Sequence, residues 1–214
     1  EVWSRAWNLD VASLTKGVLR TSVALTVSPF RLTRTLRVDP RGAFVFEYTL
    51  QNTGTEEEPY LWSFHPLLTF EPGDHLELPP EVRSLRLNGG IGTAIAFGDV
   101  WPYPEPFEGV RLDYGEVPGM PGGCVKGFAH PLRSGYAALT NERTGDRLEF
   151  RWDPAVLPIL GVWINRGHGG FHHVALEPSS GAPDSLSDAL SSWGLYRSLQ
   201  PGRTDAWSMT LNVF

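Results

Sequence analysis

Two side chains stand where they could exchange protons with a bound molecule. Glu177 ends the short apolar run Ala175-Leu176-Glu177 and is followed by Pro178, and His65 ends Tyr60-Leu61-Trp62-Ser63-Phe64-His65 and is followed by Pro66. A proline has no backbone N–H, so it stops ladder hydrogen bonding at that point in a strand. Strand ends on one rim of a sheet converge, which lets residues far apart in sequence meet. An imidazole changes charge near neutral pH, and a partly desolvated carboxylate is raised toward the same range. A pair of this kind can act as general acid and general base. The alternative is a rim histidine and a surface acid with no chemical task, and spacing alone does not separate the two.

The stretch Trp163 to Leu190 concentrates further polar groups around Glu177. Trp163, like Trp62 upstream, offers either an aromatic face to a bound ring or a core contact. Asn165 and Arg166 fit hydrogen bonding to ligand hydroxyls or capping of a strand end. Arg34 interrupts the apolar face of Phe30 to Val38, as a bulge or edge position or as a buried arginine lining a cleft. His168, His172 and His173 are imidazoles of the type metals use, but neighbours in a strand point to opposite faces, so no metal site is expected. After Pro183, Asp184 or Ser185 suits a helix cap, with a place facing the cleft as the alternative for Asp184. Cys124 is the single cysteine, which excludes an intrachain disulfide and leaves a packing role.

The elements that must position these groups are strands. The 23 glycines, 18 prolines and 12% aromatic content of the 214 residues suit a turn-rich all-β chain. Period-2 alternation marks strands over 21–27, 30–38, 43–51, 60–65, 136–140, 147–152, 156–164 and 206–214, with shorter ones near 75–78 and 82–87. In the run 60–65, Tyr60, Trp62 and Phe64 share one face, and Leu61, Ser63 and His65 the other. The turn Asp39-Pro40-Arg41-Gly42 and the polar loop after Asn52-Thr53-Gly54 join the first strands into an antiparallel meander. The stretch 89–123 reads mostly as long loops, and only Asp184 to Leu190 carries a helix signature. The expected architecture is an all-β, large antiparallel β-sandwich with one short helix.

With 18 basic against 24 acidic residues and no basic block, nothing favours nucleic acid or an anionic membrane. No apolar stretch reaches the length of a membrane span, and the first ten residues do not form a signal peptide. A cytoplasmic location is the default expectation.

Three segments together resemble the aldose 1-epimerase, or galactose mutarotase-like, superfamily. Tyr60 to Pro66 after the Asn52-Thr53-Gly54 turn is similar to its central motif, where a strand ends in a histidine. Ala175-Leu176-Glu177-Pro178 is similar to the later motif that supplies a glutamate. Leu199-Gln200-Pro201-Gly202 followed by Trp207 resembles its C-terminal end. The resemblance extends in order over residues 1–214 and implies one galactose mutarotase-like domain that binds a free hexose or a derivative in an open cleft. It implies that Glu177 and His65 are catalytic, opening the sugar ring by proton transfer without metal or cofactor. Arg5, Arg34, Trp62, Trp163 and Asn165 are the expected sugar contacts. Arg5-Ala6-Trp7 resembles the end of a His-Gly-x-x-Arg-x-x-Trp type segment with no histidine before it. That implies residues upstream of Glu1, or else a sugar-binding protein without turnover. An epimerase for a phosphorylated hexose is a further alternative and needs a cationic cluster, with Arg5, Arg34 and Arg166 as candidates. A monomer or homodimer is expected.

Overall fold

Alternating apolar and polar positions produce strands that bury one face each, and the structure, a computed structural model, describes residues 2–92, 94–118 and 122–214. In chain order the strands begin with β1 (Asn8–Leu9), β2 (Leu19–Ala24), β3 (Phe30–Val38), β4 (Phe44–Asn52), β5 (Glu58–Tyr60), β6 (Leu68–Thr69), β7 (Asp74–Glu77), β8 (Ser84–Ile91) and β9 (Val100–Pro102). They continue with β10 (Cys124–Ala129), β11 (Tyr136–Asn141), β12 (Arg147–Trp152), β13 (Ile159–Arg166), β14 (His172–Ser179), β15 (Arg197–Leu199) and β16 (Thr204–Val213). One sheet has the order β1-β2-β3-β4-β16-β12-β11-β7, the second has the order β6-β14-β13-β10-β8-β9, and β5 pairs with β15. The named pairings are antiparallel, as the meander expected from the sequence requires.

Local chemistry sets the corners. Asp39 accepts hydrogen bonds from the backbone N–H groups of Arg41 and Ala43, closing the β3–β4 turn, and Gly42 adopts φ 88 where a side chain would be strained. The register then runs unbroken from Phe30↔Asn52 to Val38↔Phe44, so Arg34 stands on a regular strand and not at a bulge. Asn52 is fully buried. Its amide donates to the carbonyls of Glu56 and Leu199 and accepts from the N–H of Gly54, fixing the turn that leads to His65.

The two large sheets pack face to face over one main apolar cluster. Val125, Ala129, Leu160, Val162, Ile164, Val174 and Leu176 of the second sheet meet Leu32, Tyr48, Phe150, Trp207 and Met209 of the first within it. Each large apolar side chain buried this way contributes roughly 1.5–3 kcal/mol relative to exposure. A register slip of one residue would reverse both faces, so this burial also fixes what the outer face of the second sheet displays. Lys126, Phe128, Gly161, Trp163 and Glu177 alternate with those core positions and share that outer face.

The expected strand 60–65 is regular only at Glu58–Tyr60. Beyond it, the chain follows β14 through an isolated bridge, Ser63↔Ser179, and a hydrogen bond from the Phe64 N–H to the Pro178 carbonyl at 3.1 Å. Pro178 has no N–H to return, which is why the ladder breaks there. The expected facing survives the break: Trp62 and Phe64 pack on the core, and Ser63 and His65 reach the outer face. The helix expected over 184–190 is the turn Leu186–Asp188, capped by Ser185, which runs into a wider turn at Ala189–Trp193. A further four-residue helical turn, Val11–Leu14, is capped by Asp10. Among the described residues, no helix is long and apolar enough to cross a membrane.

The outer face of β7, β11 and β12 carries an ion network in which Glu77 pairs with Arg147 and accepts from the hydroxyls of Tyr136 and Thr140 at 2.7 Å. The Arg147 guanidinium, aided by these hydroxyls, holds the Glu77 carboxyl down at about 2, below its ordinary 4.5. A carboxyl depressed in the folded state stabilises above its unfolded value and loses that stabilisation as pH falls. Wild-type protein is therefore expected to lose melting temperature between about pH 4.5 and 2 more steeply than Glu77→Gln. Identical acid profiles for the two proteins would show that this pair has no part in acid stability.

Candidate functional site

Gly161 makes the site possible. It lies in register with Phe128 on one side and Glu177 on the other, while Lys126 pairs one step along with Trp163. A Cβ at Gly161 would stand 3.2 Å from the Glu177 Cβ and 3.3 Å from its Oε2. The missing side chain leaves a gap over β13, and through it Lys126 on β10 reaches Glu177 on β14 diagonally.

Glu177 is buried, its side chain only 1% exposed. Lys126 Nζ donates to both carboxylate oxygens, at 2.7 Å to Oε1 and 2.6 Å to Oε2. His65 Nε2 lies 3.2 Å from Oε1, and the Ser63 hydroxyl donates to Oε2 at 3.3 Å, itself 2.7 Å from the Ser179 hydroxyl. A buried carboxylate without partners would be strongly disfavoured, and here each oxygen has two. The third contact of the Lys126 ammonium is Asp184 Oδ1 at 3.2 Å, and Asn88 donates to Asp184 Oδ2 at 3.0 Å. The cluster therefore runs from a buried carboxylate through a buried ammonium to a second, half-exposed carboxylate.

His65 opens the cluster to solvent, its side chain 28% exposed. Its ring meets Trp163 at 5.8 Å and the indole of Trp3 at 6.4 Å, both edge-on. Trp163 in turn meets His173 at 4.6 Å, and His173 meets Phe171 at 6.0 Å. Burial first, then the neighbouring His65 and His172, holds the His173 imidazole below its ordinary value, and its Nε2 is buried with no hydrogen-bond partner. An imidazole with a buried, unpartnered nitrogen thus flanks the ring of Trp163. An imidazole within 3.2 Å of a carboxylate, beside an exposed aromatic row, is an arrangement that can pass protons to and from a polar ring compound.

Of the residues singled out in the sequence, His65, Glu177 and Trp163 come together. Trp62, Asn165, Arg34, Arg5 and Arg166 go elsewhere. Trp62 packs in the core against Tyr48 at 4.7 Å and Trp207 at 4.9 Å, because the alternation that sends His65 outward sends Trp62 inward. The Asn165 amide is taken up by the loop after β13, accepting from the His168 N–H and donating to its carbonyl. Arg34 lies over the Trp7 ring at 5.0 Å, and Arg5 donates to the Thr26 hydroxyl. Arg166 donates to the Gly115 carbonyl at the far end of β13. With these separate partners, Arg5, Arg34 and Arg166 do not form the cationic cluster that a phosphorylated sugar requires. Of the two expected cap residues, Ser185 takes the cap, and Asp184 turns to the cluster and pairs with Lys126. His172 and His173 lie on opposite faces of β14, and no group of three metal-ligating side chains gathers among the described residues. Cys124 is buried and free.

Lys126 was not singled out from the sequence, yet a signal for it exists. Of the 18 basic side chains only Lys16 and Lys126 are lysines, and Lys126 sits in a run, Cys124–Ala129, buried at every position. A charged residue inside such a run demands a buried partner. A cavity of about 600 Å³ lies away from this cluster, lined by Phe70, Glu71, Tyr114, Arg166, His172 and Val174 among others.

No family model matches the sequence, and no curated protein matches it. Solved structures do match. A candidate aldose 1-epimerase from Escherichia coli K12 superposes with a TM-score of 0.73 at 18% identity, over 99% of this chain and 69% of that one. A galactose mutarotase-like protein from Lactobacillus casei ATCC 334 gives 0.70 at 16% identity, over 97% of this chain and 73% of that one. A protein of Synechocystis sp. PCC 6803 gives 0.68 at 16% identity, over 97% of this chain and 65% of that one. The chain spans about two thirds of the length of these structures. The fold is the galactose mutarotase-like β-sandwich, and identity at this level carries the fold alone.

Breaking the buried pair from one side strands a charge. Lys126→Met is expected to cost roughly 3–5 kcal/mol in urea unfolding, and the double variant Lys126→Met/Glu177→Leu to recover most of it. A double variant no more stable than the single one would show that the buried charges do not set this energy.

Proposed function

We propose that this protein interconverts the anomers of an aldose, as an aldose 1-epimerase-like mutarotase. The observation that supports this best is the contact of His65 Nε2 with Glu177 Oε1 at 3.2 Å, beside the partly exposed indole of Trp163. The anomeric hydroxyl and the ring oxygen of a cyclic aldose hang on one carbon, so an acid and a base serving both must stand close together. Glu177 takes the proton of the anomeric hydroxyl while protonated His65 gives its proton to the ring oxygen. The bond from C1 to the ring oxygen breaks, leaving an open-chain aldehyde. Rotation about C1–C2 presents the other carbonyl face, and closure with the two roles reversed gives the other anomer. Trp163 supplies an apolar surface for the ring. Both carboxylate oxygens are occupied, so a substrate oxygen takes the place that His65 or Ser63 holds.

One observation favours a second reading. A carboxylate 1% exposed and held on both oxygens by an ammonium also suits a protein that binds carbohydrate without turning it over.

Exchange NMR across a panel of aldoses separates the two. Wild-type protein is expected to accelerate anomer exchange of at least one aldose. Glu177→Gln and His65→Asn are each expected to lose on the order of 10²–10⁴-fold of that rate. Binding without exchange would establish the non-catalytic reading, and a Glu177→Gln variant as fast as wild type would contradict Glu177 as the base.

A further inference from the structure

The chain meets its ion-pairing needs at Glu47, Asp113, Glu77, Glu149 and Asp205 with arginines, yet it places a lysine at Glu177. The two cations differ in shape. A guanidinium is a flat fork that matches one carboxylate, whereas an ammonium is a compact charge with three rotatable donors. Lys126 meets two separate carboxylates at once: two contacts to Glu177 and a third to Asp184 at 3.2 Å. Asp184 is itself anchored by the Asn88 amide, and its side chain is 53% exposed, so it can hold a counter-charge with water's help.

We propose that Lys126 is a positioning residue that fixes the Glu177 carboxylate over Gly161 and leaves its charge to Asp184 when Glu177 takes up a proton. This rests on the mutarotase reading. Ring opening turns Glu177 from an anion into a neutral acid, and a buried ammonium facing only that group would lose its counter-ion in mid-reaction. With Asp184 already in contact, the ammonium keeps an anionic partner in both states. The proton travels from the anomeric hydroxyl to Glu177 and back. Lys126 keeps all three of its own protons and forms no covalent bond.

The scarcity of lysine gives a direct test. In ¹⁵N-lysine protein the only ammonium groups are those of the exposed Lys16 and of Lys126. The Lys126 signal is expected to persist at neutral pH through slow exchange with water, and to shift in Asp184→Asn. In anomer exchange, Asp184→Asn is expected to lower kcat about fivefold with KM unchanged, the size of one partly exposed ion pair. Lys126→Ala is expected to lower kcat about 100-fold, and added ethylammonium to restore a large part. An ammonium at Lys126 that exchanges as fast as that of Lys16 and ignores Asp184→Asn overturns the proposal, even if Lys126→Ala does not fold. So does a folded Lys126→Ala with wild-type kcat. A wild-type protein that exchanges no aldose contradicts the mutarotase reading instead, and the ammonium spectrum still decides whether the shared clamp exists.

Discussion

A carboxylate buried on a sheet face governs this structure. Glu177 is fully buried, and an ionised group in that position is tolerated only with close partners. That requirement explains features distant from it in sequence. Gly161 leaves the space, Lys126 supplies the charge, and the chain at Ser63 and His65 is drawn alongside β14 to fill the remaining contacts. The turn at Asn52 and the proline at 178 serve the same end, one directing the chain toward β14 and the other ending regular pairing once it arrives.

The face opposite Glu177 does a different job with the same strands. Leu176, Val162 and Val125 lie in the core between the sheets, and their alternation locks the register that keeps Glu177, Gly161 and Lys126 on the other side. Positioning of the polar cluster thus draws its energy from apolar burial next to it in sequence. The outer face near Phe128 has a small apolar cover of its own, with Ile159, Ala182 and Trp193, and the segment that provides it also carries Asp184. One short stretch therefore shields the sheet and delivers the second carboxylate.

How much of this was legible depended on whether the controlling interactions were local. β3 has the predicted limits Phe30 and Val38, because its pattern is period 2 throughout and its turns are made by Asp39 and Gly42. His65 and Glu177 were legible as polar groups before a proline, but neither ends a strand: β14 carries Glu177 and runs on to Ser179, and His65 lies beyond the regular strand. Their pairing followed from the motif resemblance. Trp62 was legible as an aromatic with two possible uses, and alternation with His65 already favoured the core contact that it makes. Lys126 was not read, since its partner is defined by a register across three strands that no local pattern reveals. Asn165 was read as a hydroxyl contact or a strand-end cap, and Arg34 as a polar interruption of an apolar face. Their partners, the His168 loop and the Trp7 ring, come from chain geometry that composition does not encode.

The central claim is that sugar meets the outer face of the second sheet, between His65 and Trp163. The chain's eight tryptophans give a direct readout, since each indole N–H is a separate NMR signal. On titration with an aldose, the Trp163 signal is expected to shift while those of the core residues Trp62 and Trp207 stay in place. Movement confined to the distant cavity around Tyr114, Arg166 and His172, with Trp163 unchanged, would contradict it.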